Sequence, residues 1–405
     1  MVWATPSDSA RYTGVLPSRI HRAIREHLTH YSDDGNPFFV GDPDFIRQQL
    51  DRWKKQLPFI DPFFAVKCNN NREFLEAVRK AGINFDCASK EEISQVLDLG
   101  VRPEQVIFAS PRKTESHISY AKSQGILKTV IDSEDELYKV KELFPTAQVF
   151  VRLWADDPSS HVRLCDKFGL HVEEAKHLLG LASKLEVNIT GLCFHIGSGA
   201  SDPEAYDQAI RLTREIYNYN DILKHKHCIT MIDIGGGFTN ANFDKFAPVI
   251  RAAAERYFGS EPGIQWMAEP GRFFSSDAFY LVCRVIGSST NRKYSAESDK
   301  PKSKLFVNDG LYQNFLNVLI EKITPAPIPL TSRGSFIVEG QDQAYTIWGQ
   351  TCCGIDRISC DTRLPGVVQR GDWLCYSSMG AYTNVTASSF NGFVSNTEVI
   401  WATKL

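Results

Sequence analysis

Between residues 60 and 270 the chain alternates two kinds of segment. Short runs rich in β-branched and aromatic residues read as strands: FFAVKC (63–68), NFDCA (84–88), VIFAS (106–110), KTVIDS (128–133), QVFVRL (148–153), ITGLCFHI (189–196), ITMIDI (229–234) and QWMAEP (265–270). Stretches with apolar residues at helical spacing lie between them, such as REFLEAVRKA (72–81), KEEISQVLDLG (90–100), SEDELYKVKELF (133–144) and PEAYDQAIRLTREIY (203–217). Strands separated by helices pair in parallel through right-handed crossovers. Eight such units in about 210 residues predict a closed (β/α)8 barrel. The alternative is an open doubly wound sheet. It calls for a glycine-rich turn after an early strand, and none is present.

The rhythm changes after about residue 275. FYLVCRVIG, SKLFVND, GSFIVEG, DWLCYSS and TEVIWATKL are short β-like runs separated by Gly and Pro turns. They predict a second, β-rich domain. The expected division is a barrel over 37–275 and a β domain over 276–405, with residues 1–36 able to add a strand to the latter. The polar stretch NRKYSAESDKPKSK (291–304) reads as a mobile surface loop.

Composition narrows the function classes. The 405 residues are 43% hydrophobic and 23% charged, enough to build sizeable cores, and the formal net charge is −3. With no block of Lys and Arg, nucleic acid and anionic membranes are not expected partners. No run of eighteen apolar residues predicts a membrane span, and the N-terminus lacks the pattern of a signal peptide. Ten scattered cysteines, none in a CxxC pair, then read as reduced thiols of a cytoplasmic protein.

Active sites of such barrels form at the C-terminal ends of the strands, so polar residues there are the candidates. Lys67 ends the first run. It is either a solvated rim cation or, if desolvated, a nucleophile able to form a Schiff base. His195 ends the sixth, where a structural histidine is the plainer reading, and is followed by Gly197, Ser198 and Gly199. Gly235, Gly236 and Gly237 follow the seventh run and allow close backbone approach and an anion-binding nest. Glu269, Gly271 and Arg272 follow the eighth. Loops after strands seven and eight are where these barrels commonly hold phosphate. A lysine nucleophile, a phosphate cup and a carboxylate able to keep a pyridine nitrogen protonated together point to pyridoxal 5'-phosphate (PLP). The plainer reading of Glu269, a rim carboxylate paired with Arg272, stays open at this point.

On these motifs the chain resembles the ornithine decarboxylase family, the fold type III PLP enzymes, over roughly residues 35 to 400. PFFAVKCN implies that Lys67 is the PLP lysine, and FDCASKEE carries Asp86 and Glu92. Arg152 in VRL, followed by DKFG, also fits. FHIGSG implies that His195 stacks on the PLP ring and Ser198 contacts the phosphate. DIGGGF and EPGR assign Gly235, Gly236, Gly237, Gly271 and Arg272 to the phosphate and Glu269 to the ring nitrogen. FVNDGLYQNF, GQTCCGIDRI, GAYT and FNGF match the β domain. They imply that Cys352 protonates the substrate carbon and that Tyr382 helps hold the phosphate, and they place Phe390 at the substrate. The resemblance further implies a head-to-tail homodimer in which Cys352 serves the partner's site.

Two departures bear on the substrate. The family's CDG reads Cys352-Cys353-Gly354, and its Tyr-Asp pair reads Ile320-Glu321. A neutral thiol at 353 cannot pair with the terminal ammonium that the family's aspartate binds. The expectation is therefore a decarboxylase of a basic-type L-amino acid. Its substrate is modified or N-substituted, as in alkaloid or other specialised metabolism, with Glu321, Cys353 and Phe390 at the substrate. Ordinary ornithine decarboxylation for polyamine synthesis and a non-catalytic regulator like the antizyme inhibitors are the alternatives. A diaminopimelate-type decarboxylase would carry CESGD near the donor cysteine, which is absent.

Overall fold

The computed structural model describes residues 10–11, 16–30, 35–290, 303–393 and 397–402. Two units are separated by contact density: Ile46–Phe274, and Met1–Phe45 together with Ser275–Leu405.

The first unit is the barrel. Its strands are Ile60–Ala65, Asn84–Cys87, Val106–Phe108, Lys128–Ile131, Gln148–Leu153, Ile189–Phe194, Met231–Asp233 and Gln265–Ala268. All neighbours pair in parallel, and closure is made by Trp266, Met267 and Ala268 against Ile60, Asp61 and Pro62. This closure rules out the open doubly wound sheet. Phe63, Ile107, Val130, Phe150, Cys193, Met231 and Met267 pack together inside, one from every strand except the second. That filled interior confines any ligand to the mouth. The helices dock by their apolar faces. Trp53, for example, is fully buried among Phe238, Phe243, Phe273 and Phe274 and donates its indole N–H to the Ile60 carbonyl at 2.8 Å.

Seven of the eight barrel strands end one to three residues earlier than the apolar runs suggest, and Gln148–Leu153 ends where its run does. The first stops at Ala65, and Lys67 sits in a 3-10 turn, Val66–Cys68. Residues past the strand ends stay apolar because the loops at the mouth are themselves buried, as Val66, Cys68 and Ile196 are.

Among the described residues the second unit is a nine-stranded mixed sheet. Phe279–Thr290 is its hub, pairing with Ser303–Val307, Trp373–Tyr376 and Phe38–Gly41. Residues 38–41, expected at the start of the barrel, thus belong to this sheet, and the barrel unit begins at Ile46 rather than 37. The reason is burial on both faces: Phe38, Phe39 and Val40 are all buried, and their partners lie at 279–282 and 398–401. Ala10–Arg11 adds a short parallel strand against Thr362 and Arg363. Of the stretch 291–304, residues 291–302 lie outside the described residues, and Ser303 and Lys304 begin a strand. Among the described residues no helix is long and apolar enough to cross a membrane. All ten cysteines are free thiols.

Candidate active site

The barrel mouth gathers charged groups from several strand ends. Lys67 directs its Nζ to Asp86 Oδ2 at 2.6 Å, with Asp86 fully buried and the lysine side chain 41% exposed. Glu92 lies on the following helix, Lys90–Leu97. Its carboxylate accepts the Ala88 N–H at 2.6 Å, and burial raises its pKa. Its place in the structure is thus that of a cap for the turn after the second strand.

Asp233 ends the seventh strand beside Glu269, at the end of the eighth. Burial pushes Asp233 up to about 7, and burial followed by the charges of Asp233 and Asp86 pushes Glu269 well up. The Asp233 Oδ1 accepts the Gly235 N–H at 2.8 Å. The other buried oxygen, Oδ2, has no donor among the described residues, nor has Asp86 Oδ1. Asp86, Asp233 and Glu269 therefore face two cations, Lys67 and Arg152, whose charges act on Glu269 in the opposite sense. The cluster holds one more acid than base, which a cationic N–H at Glu269 would balance.

His195 is neutral: burial, then the charges of Arg152 and Lys67, hold its pKa well below the usual value. Its Nδ1 accepts the Gly197 N–H at 3.0 Å, so the ring proton belongs on Nε2. Gly235 adopts φ +65, the region glycine favours, and passes its carbonyl to the Glu269 N–H at 2.7 Å. At Gly236 an added Cβ would lie 2.7 Å from the Glu269 carbonyl oxygen and 2.9 Å from His195 Nε2. This loop can only be backbone. The Tyr206 hydroxyl fixes it from behind by donating to the Gly236 carbonyl at 2.9 Å. The Asn242 amide ties it to the preceding loop through Ala200 O and Gly237 O. Arg272, just past Gly271, donates from Nε to Ser198 Oγ at 3.1 Å, so a guanidinium and a hydroxyl meet at the mouth.

Of the residues singled out from sequence, the barrel holds Lys67, Asp86, Arg152, His195, Ser198, Gly235, Gly236, Gly237, Glu269, Gly271 and Arg272. Glu92, Gly197 and Gly199 lie there too, and Glu321, Cys352, Cys353, Tyr382 and Phe390 belong to the β unit. There the Cys352 N–H donates to Asn391 Oδ1 at 3.0 Å, and Cys353 Sγ accepts the Tyr312 hydroxyl at 3.0 Å. Phe390 stacks on Tyr312 at 4.3 Å. Glu321 is buried at the end of the helix Leu316–Glu321, and Tyr382 takes φ +55.

Two groups escaped the sequence reading. Asp233 was legible as an acid inside an apolar strand run. Tyr312 was not, since its partner lies 41 residues away.

Residues 44–276 match the family described as "Pyridoxal-dependent decarboxylase, pyridoxal binding domain". Ornithine decarboxylase of Neurospora crassa is 38% identical over 393 residues, covering 91% of this chain and 81% of the relative. Antizyme inhibitor 2 of Xenopus laevis is 38% identical over 375 residues, covering 89% and 80%. Among solved structures, the Paramecium bursaria Chlorella virus arginine decarboxylase bound to agmatine superposes with a TM-score of 0.86. It is 33% identical, covering 94% of this chain and all of that one. The excess carboxylate, the neutral His195, the glycine cradle and Arg272 with Ser198 fit the cofactor these matches imply.

Proposed function

The chain belongs to the ornithine decarboxylase family of fold type III enzymes and is a PLP-dependent decarboxylase of basic amino acids; we propose that its own substrate is an L-amino acid modified or N-substituted at the far end. The observation that carries this is Cys353. A thiol, already engaged by the Tyr312 hydroxyl, stands where the family has a carboxylate.

Bound PLP supplies an aldehyde for the substrate amine and a ring that accepts electrons from the bond to the departing CO2. Lys67 would be the amine that anchors the cofactor's aldehyde, and Asp86, 2.6 Å from its Nζ, orients it. Glu269 holds a proton at the pyridine nitrogen, the cationic N–H its surroundings lack. The imidazole of His195, held neutral by burial, would lie against the bound ring without adding charge. Arg272 and Ser198, with the backbone of Gly235, Gly236, Gly237 and Gly271, bind the phosphate, and Tyr382 adds a hydroxyl from a second chain. Arg152 balances the carboxylates at the mouth. Cys352 delivers the proton to the substrate carbon once CO2 has left.

For Cys352 and Tyr382 to act, two copies assemble head to tail. Apolar side chains exposed on the β unit support this reading: Ile320 is 50% exposed, Ile355 and Phe390 42% each. The protein works in the cytoplasm, in specialised metabolism such as alkaloid synthesis.

The test is CO2 release by the PLP-loaded protein across a panel of amino acids, with Lys67→Ala alongside. Release from an N-substituted basic amino acid, lost in Lys67→Ala together with the visible absorption of the bound cofactor, is expected. Ordinary turnover of ornithine alone would return the chain to polyamine synthesis. The likeness to antizyme inhibitor 2 supports a second reading, a regulator, which predicts no release from any substrate.

A further inference from the structure

We propose that Asp157 is a positioning residue for the phosphate cup, fastening the loop that presents the Ser198 hydroxyl to Arg272. It acts through the backbone of that loop. The inference rests on the phosphate being held at Ser198 and Arg272, and it names what gives that site its shape.

Asp157 lies just past the fifth barrel strand, Gln148–Leu153, and is fully buried. Its Oδ1 accepts the Ser159 N–H at 2.8 Å and the Ser159 hydroxyl. Its Oδ2 reaches the loop after the sixth strand and accepts the Ser201 and Asp202 N–H groups at 2.8 and 2.9 Å. Burial works to raise its pKa, but the Ser159 hydroxyl and the Asp202, Ser159 and Ser201 N–H groups hold it below the usual value. The carboxylate is therefore ionised at neutral pH, with one oxygen on each loop.

The bonds around it lay residues 157–162 along residues 196–202 as a strap. The Asp157 N–H and the Ser160 hydroxyl both donate to the Ile196 carbonyl, at 3.0 and 3.1 Å. Val162 and Ser198 exchange backbone bonds of 3.2 and 2.9 Å in an antiparallel bridge. The Ser201 hydroxyl donates to that of Ser159 at 2.6 Å. No side chain fits between the two segments at Gly197, which takes φ +113 and where a Cβ would lie 2.7 Å from Ser160 Cβ. Ser198 is thus held on both sides, at Ile196 and at Ser201, while its hydroxyl accepts Arg272 Nε at 3.1 Å. A serine between two glycines has much backbone freedom to lose. Fixing it beforehand lowers the entropy lost when the phosphate binds. The charge is needed for this, because asparagine at 157 would turn an NH2 group toward backbone N–H donors and leave them unmet.

The experiment is equilibrium dialysis of the full chain against PLP and against pyridoxal, which has the same ring and aldehyde but no phosphate. In Asp157→Asn the affinity for PLP is expected to fall about tenfold, the size of one hydrogen bond to a charged group, while that for pyridoxal stays within about twofold of wild type. Because Asp157 acts through Ser198, the same substitution should weaken PLP by less than about twofold when Ser198 is already Ala. Ser159→Ala keeps the carboxylate and its backbone bonds, and should weaken PLP alone by about threefold. A mere structural prop would weaken PLP and pyridoxal alike. That result, or full additivity with Ser198→Ala, overturns the inference. So does unchanged PLP affinity in Asp157→Asn or, should that variant not fold, in Ser159→Ala. Wild-type affinity for PLP in Ser198→Ala would overturn the placement of the phosphate itself, and the inference with it.

Discussion

At the scale of single residues, position 353 should set how the enzyme treats ornithine. Losing one partner of a desolvated charge pair costs about 3–5 kcal/mol, roughly two to four decades in kcat/KM. Cys353→Asp should recover part of that on ornithine. Steady-state kinetics that find wild type already efficient on ornithine would refute the argument. Asp233 makes a different prediction. Its folded-state pKa is raised from 3.8 to about 7, so its protonated form stabilises the fold below the lower value, and that stability is lost as pH rises toward the upper one. Asp233→Asn keeps an oxygen for the Gly235 N–H and removes the titration. Cofactor-free variant should therefore lose less melting temperature than wild type between about pH 5 and about pH 8. Equal losses would show that another group dominates. Lys67, His195, Glu269 and Arg272 were legible from sequence because each follows a strand run within a motif. Tyr312 was illegible because only folding brings it to Cys353.

At the scale of elements, the glycine turn after the seventh strand makes the most direct prediction. Gly236→Ala must push the Glu269 backbone or His195 aside, an overpacking that typically costs about 1–3 kcal/mol. It should lower both PLP affinity, read by fluorescence titration, and melting temperature. Gly263→Ala, with nothing within 4 Å of the new methyl group, should leave both near wild type. Equal behaviour of the two variants would mean the turn is not a cradle. The order of barrel elements was readable because strands such as Gln148–Leu153 are buried on both sides and bounded by clear helical periodicity. Their ends were not, since Val66 or Ile196 looks like strand whether it pairs or packs in a loop. Phe38–Gly41 was misplaced for a related reason. Four buried residues carry no mark of which sheet they join when their partners are hundreds of positions away.

At the scale of the whole molecule, the proposed head-to-tail assembly is tested by mixing two inactive proteins. Lys67→Ala and Cys352→Ala homodimers should each be dead, whereas each mixed dimer would combine one site with both native residues and one with neither. About a quarter of wild-type activity is expected if subunits exchange freely in equal amounts and half the dimers are mixed. No recovery, under conditions where exchange is demonstrated by a tagged subunit, would refute shared sites.

The placement of Phe38–Gly41 also sets a timetable for synthesis. Every barrel strand has been made by residue 268, but the sheet that takes up Phe38–Gly41 needs Glu398–Trp401 alongside it. About 360 residues separate the two strands, roughly 20–70 s of translation at about 5–20 residues per second. Through that interval the nascent chain carries Phe38, Phe39 and Val40 without the last-made of their neighbours, while the barrel behind them can already close. The same three residues that complete the sheet are, until Glu398–Trp401 has been made, an apolar edge open to chaperones and to other nascent chains.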